Sequence, residues 1–179
     1  MFDDTAKNHE EVFVQWVAQY RRPILGYLLS LTHDADLAED LAQETFCRAW
    51  SNRDQYTEQG SPQAYLFRIA DHLLVDYYRR KRECAAGEAV WDFLDHPMVN
   101  SPHEHLELQE DLQRLRELMK ELTPIQARVL SLRYYSQLKF VEIAELIDCP
   151  LNTVLSHVHR GLMALRRKMG LEEENQESQ

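Results

Sequence analysis

Residues 140–169 read FVEIAELIDCPLNTVLSHVHRGLMALRRKM. The apolar spacing is helical on both sides of a short break. Phe140, Ile143, Ala144 and Ile147 make the buried side of a first helix. Asp148, Cys149 and Pro150 interrupt it, because a residue ahead of proline avoids the helical region. A second helix then buries Val154, Val158, Leu162 and Leu165. Small Ala144 lets the two cross closely. The outer face of the second helix carries Asn152, Thr153, Ser156, His159 and Arg160, with His157 at its flank. Polar and basic groups there suit the reading of base edges in a major groove. Any helical hairpin shows this periodicity, however, and a basic helix end also complements the helix dipole. The segment alone leaves both explanations open.

Working back toward the N-terminus, Thr123, Pro124 and Gln126 have the form of a helix start. Thr123 caps, Pro124 fits the first turn, and Gln126 closes a capping box. Ile125, Val129 and Leu132 carry that helix toward Tyr135. Before it, Leu108, Leu112, Leu115, Leu118, Met119 and Leu122 mark another. Residues 83–105 lose periodicity and contain Gly87, Pro97, Asn100, Ser101 and Pro102. They are expected to form a flexible acidic linker with a domain boundary inside it. Trp91, Phe93 and Leu94 are expected to form a short docking turn within it.

The first 82 residues yield three helices. Residues 10–31 have a helical apolar pattern, broken or restarted at Pro23. Asp34 caps a second helix running to about residue 51. Its inner face is Leu37, Ala38, Leu41, Ala42, Thr45, Phe46 and Ala49, and its outer stripe holds Asp36, Asp40, Gln43 and Cys47. Residues 52–62 are polar and form a loop. A third helix spans about residues 63–82. Leu66, Ile69, Ala70, Leu73, Leu74 and Tyr77 face inward, while Arg68, His72, Val75, Arg79 and Arg82 face out.

The 179 residues carry a formal net charge of −10, with few glycines (5) and prolines (6). Helix formers dominate, so the expected class is all-α: two small helical domains, the second containing a helix-turn-helix. The predicted boundaries are 10–82 for the first domain, 83–105 for the linker, 106–169 for the second domain and 170–179 for an acidic tail. Net acidity opposes phosphate binding, yet the charge is segregated. Residues 83–113 hold acids and no Lys or Arg. Arg79, Arg80, Lys81 and Arg82 form a compact cluster, and residues 149–171 contain Arg160, Arg166, Arg167 and Lys168 with no acid. Two such patches, separated by acidic segments, are compatible with local DNA binding. No apolar run approaches the roughly 20 residues of a membrane helix. The start of the chain lacks a signal peptide's pattern, so a cytoplasmic location without membrane insertion is expected. Cys47, Cys84 and Cys149 are odd in number and far apart, which favours free, partly buried thiols over a disulfide or zinc framework.

Three blocks together resemble the extracytoplasmic-function group of bacterial RNA polymerase sigma factors. Residues 34–50, DADLAEDLAQETFCRAW, look like that family's polymerase-gripping segment. Residues 65–82, YLFRIADHLLVDYYRRKR, are similar to its −10 helix. Residues 122–135, LTPIQARVLSLRYY, with 140–147 and 153–160, resemble its −35 domain. The resemblance implies an alternative sigma factor that binds core polymerase and directs transcription initiation. It implies contact of Asp36, Asp40, Gln43 and Glu44 with the β′ clamp helices. Arg68, His72, Arg79, Arg80 and Arg82 would meet the −10 element, and Thr153, Ser156, His157 and Arg160 the −35 element. The loop at 52–62 would help hold a flipped base, and Tyr65 stands where the family often has Trp, with core packing as its other role. An anti-sigma partner is implied as well. The chain departs from the family pattern in several places. The family usually has a cation at Leu155 and Arg at His157, often Gly at Asp148 and Asn152, and Ser at Lys139. Losing two cations weakens −35 affinity and its salt dependence.

Other classes fit less well. His96, His103, His105, Asp95 and Glu104 crowd the linker, but their spacing matches no rigid metal site. No phosphate loop, HExxH or nucleophile elbow occurs, so neither catalysis nor a cofactor is expected. A sigma-like decoy that titrates an anti-sigma factor remains a rival. A plain helix-turn-helix regulator would leave residues 34–50 unexplained.

Overall fold

The computed structural model describes residues 4–53, 61–84, 118–119 and 122–169, with 4–9, 82 and 84 described by their backbone alone. Every regular element among them is helical. The chain divides into two compact units, residues 1–90 and 91–179. Residues 83 and 84 of the expected linker are helical, the end of the helix Pro62–Cys84; the rest of it, with Trp91 and its histidines, lies outside the described residues. So do the acidic tail and most of the leucine-marked segment from Leu108 to Leu122.

In the first unit, α1 spans Asp4–Thr32, α2 Ala35–Ser51 and α3 Pro62–Cys84. Pro23 sits inside α1 without ending it, against expectation. A mid-helix proline deletes one backbone bond and costs ~3 kcal/mol. Here Ile24, Tyr27, Leu28 and Leu31 follow it directly into the core, and their burial offsets that cost. His33 takes a positive φ of 53° and turns the chain into α2. Asp34 caps α2 as expected, its carboxylate accepting from the Leu37 N–H at 3.1 Å.

The inner face of α2 is largely small: Ala38, Ala42, Thr45 and Ala49, with Leu41 and Phe46 beside them. Small side chains let α1 and α3 approach closely. α3 buries a wider face than the expected single stripe. Phe67, Asp71 and Tyr78 join Leu66, Ala70, Leu73 and Leu74, while Ile69 and Tyr77 are only half-buried. Two polar groups tie α1 to α3. The Tyr27 hydroxyl donates to Asp71 Oδ1 at 2.6 Å, and the Tyr78 hydroxyl donates to the Leu31 carbonyl at 3.2 Å. Burial, with Tyr77 and Asp34 nearby, pushes the Tyr78 phenol well above its usual value.

The second unit contains α4 at Pro124–Ser131, α5 at Phe140–Leu146 and α6 at Leu151–Lys168. Gln126 closes the start of α4 by accepting from the Thr123 N–H at 2.9 Å. The chain continues through a π-helical turn, Leu132–Ser136, and stops where Gln137 turns left-handed at φ 55°. Arg133 fastens this corner, donating to the Gln137 and Leu138 carbonyls and lying over the Phe140 ring.

α5 ends in a Schellman arrangement. Asp148 is left-handed at φ 52°, and the Cys149 N–H reaches back to the Ala144 carbonyl at 2.9 Å. Pro150 follows and leads into α6, so the expected break is present. The buried side of α6 is narrower than expected. Val154 and Gly161 are buried and Val158 and Leu165 half-buried, but Leu162 is 43% exposed. α6 packs closely on α4 at Gly161, where an added Cβ would lie 2.8 Å from Leu130 Cδ1.

Candidate nucleic-acid interface

The outer face of α2 presents Asp36, Asp40, Gln43 and Glu44, all exposed. Glu44 also accepts from Arg48 Nε at 2.7 Å. Both groups remain about half exposed, so this helical pair is weak and yields readily to another partner. Glu39, on the same helix, is engaged by Arg21 of α1 through both carboxylate oxygens. Cys47 is exposed, not partly buried as expected, because it follows the outer stripe; Cys149 is half-buried.

On α3, Arg68, His72, Arg79 and Arg80 are exposed. Helical geometry puts Arg68, His72 and Arg79 on one stripe, with Arg80 turned about 100° from it. Arg79 donates to Asp76 at 3.0 Å within the helix. The side chain of Arg82 lies outside the described residues.

A cleft of about 370 Å³ opens between the end of α2 and the first half of α3. It is lined by Arg48, Asn52, Tyr65, Ile69 and His72. Asn52 donates its side-chain amide to the Arg48 carbonyl, which fixes the cleft's lip. Burial raises the Tyr65 phenol above its usual range. Tyr65 is thus half-buried at the cleft wall and not a core residue. Asn52 opens the loop at 52–62 that was expected to help hold a flipped base, of which residues 54–60 lie outside the described residues; Arg48 and Ile69 were not expected here. The only sequence signal for Arg48 is position, since Arg48 and Asn52 stand one turn apart where α2 ends.

On α6, Asn152, Thr153, Ser156, His159 and Arg160 are exposed and His157 is half-buried. Helical phase brings Thr153, Ser156 and Arg160 to one face, with His157 at its edge. The Ser156 hydroxyl donates to the Asn152 carbonyl at 2.8 Å. Among the described residues, no group of three or more acids, histidines or cysteines is placed to hold a metal ion. Nor is any described helix long and apolar enough to cross a membrane.

Two family models match the chain. Sigma-70 region 2 covers residues 16–84 and Sigma-70 region 4 covers residues 112–165. The chain is 31% identical over 150 residues to the ECF RNA polymerase sigma factor SigM of Bacillus subtilis, covering 82% of this chain and 90% of that one. It is 29% identical to SigW of the same organism, over 91% of both. Among solved structures it resembles the sigma factor RpoE from Bartonella quintana, crystallised with the anti-sigma factor NepR. The TM-score is 0.71 at 22% identity, over 91% of this chain and 99% of that one. CnrH, in complex with the cytosolic domain of CnrY, gives a TM-score of 0.68 at 17% identity, over 92% and 91%. The chain belongs to the extracytoplasmic-function sigma factors, and its function lies in transcription initiation.

Proposed function

We propose that this sigma factor binds core RNA polymerase through the outer face of α2 and recognises promoters through α3 and α6. Asp36, Asp40, Gln43 and Glu44 meet the β′ clamp helices. Arg68, His72, Arg79, Arg80 and Arg82 contact the −10 element, and the cleft beside Tyr65 takes a base flipped from the melted strand. Thr153, Ser156, His157 and Arg160 meet the −35 element. The domain roles follow: residues 10–82 grip polymerase and open DNA, 106–169 read upstream DNA, and 83–105 connect them. The protein acts by binding and not as an enzyme, and it works in the cytoplasm beside the polymerase. An anti-sigma factor, of the kind carried by the RpoE structure, masks these surfaces when transcription is not required.

The observation that carries this reading is the division of α2. One side holds Ala38, Leu41, Ala42, Thr45, Phe46 and Ala49, all buried, and the opposite side exposes all four candidate residues. Charged groups that the core does not use can meet a partner of complementary charge. The test is in vitro transcription with purified core polymerase on a promoter library from the source genome. New start sites that appear only with the protein are expected. Binding to core without transcripts would favour a decoy, and no binding to core would remove the α2 assignment.

A further inference from the structure

Leu155 is an anomaly on α6. It is 40% exposed, and Leu151, one turn earlier, is 38% exposed. Helical spacing puts Leu155 beside Asn152 (three residues back) and His159 (four residues on), both exposed polar groups. The leucine therefore borders the polar face without joining the core stripe of Val154 and Gly161. From Leu151 to Lys168 the helix holds Arg160, Arg166, Arg167 and Lys168 and no acid. Leu162, 43% exposed, continues the same edge two turns on. An apolar edge beside the polar face of an acid-free, cation-bearing helix favours a polyanion with apolar points on its surface over an apolar protein groove. Duplex DNA has one such point in the major groove, the C5-methyl group of thymine. The first turns of a second helix are also the part that reaches base edges.

We infer that Leu155 reads a thymine methyl group in the −35 element, so that this factor recognises part of that element by apolar contact. The inference rests on α6 being the −35 reader. Leu151 extends the same edge and excludes water around the methyl group. Arg160 and the C-terminal cations position the helix on phosphates and carry no sequence information of their own.

The probe is a promoter duplex recovered from the transcription assay, bound by holoenzyme at one fixed salt concentration. Each thymine of its −35 window is replaced in turn by deoxyuridine, which deletes the methyl and keeps the pairing edge. One or two positions are expected to bind about fourfold more weakly, the worth of one buried methyl-sized group. Holoenzyme carrying Leu155→Ala should bind the thymine and deoxyuridine duplexes alike. Silence at every thymine, or a window without thymine, overturns the inference. So does an unchanged preference in Leu155→Ala, which would leave the leucine to a protein partner. A scrambled window separates the two levels. If scrambling weakens binding while every deoxyuridine is silent, only the leucine assignment falls; if scrambling has no effect, α6 is not the reader and both fall.

Discussion

The Tyr27 hydroxyl donates a 2.6 Å hydrogen bond to Asp71 Oδ1, and both side chains are fully buried. The bond joins α1 to α3 across 44 residues of sequence. Removing the donor with Tyr27→Phe leaves a buried carboxylate with one partner fewer. The expected loss is roughly 1–3 kcal/mol of unfolding free energy. Urea unfolding of the full chain measures it, and an unchanged midpoint would show that the bond contributes nothing.

Asp148 holds a left-handed backbone at φ 52° between α5 and α6. That conformation costs a side-chain-bearing residue roughly 1–2 kcal/mol, less for Asp than for most. Asp148→Gly is therefore expected to stabilise the second unit by about 1 kcal/mol, and Asp148→Val to destabilise it. Thermal unfolding of the two variants should move in opposite directions.

The raised Tyr78 phenol makes stability fall at high pH. Its folded pKa lies above its unfolded value, so the folded state holds the proton longer. The contribution is complete below the unfolded pKa of about 10 and is lost as pH climbs beyond it. Alkaline titration of the native chain should show unfolding that begins above that value. Tyr78→Phe should flatten this alkaline limb; an identical limb would assign the effect to Tyr65 or Tyr135, whose phenols are also raised.

Arg79 and Arg80 sit at the exposed end of α3, with Arg79 only loosely held by Asp76. If both meet phosphates, Arg79→Ala and Arg80→Ala should each reduce the slope of log affinity against log salt by about 1 in holoenzyme binding. A weaker affinity with an unchanged slope would mean that the loss is structural.

The helix-turn-helix and the capped α2 were legible because local chemistry and packing agree there. Asp34 and Gln126 mark helix starts by side-chain hydrogen bonds that are present, and the Pro150 carbonyl accepts from the first turn of α6. Pro23 was misjudged because its rule is local, whereas the burial of Ile24 and Tyr27 is not. Phe67 and Asp71 were missed because α3 is covered by two helices, so its buried face is wider than one stripe. Leu162 was misassigned for the opposite reason, since α6 is covered on a narrow side. The cleft was invisible because Arg48 and His72 meet only after α2 and α3 have packed. The side chain of Arg82 and residues 85–105 of the linker lie outside the described residues.

The two units each have a core of their own, one centred on Tyr27, Phe67 and Leu66, the other on Val129, Leu132, Ile143 and Val154. A substitution on the outer surface of α6 therefore enters neither core. If α6 reads the upstream element as proposed, that half can drift in its preferred target while the other half stays unaltered. Duplicated copies of such a gene have an easy route to divergent regulons, a few surface codons at a time.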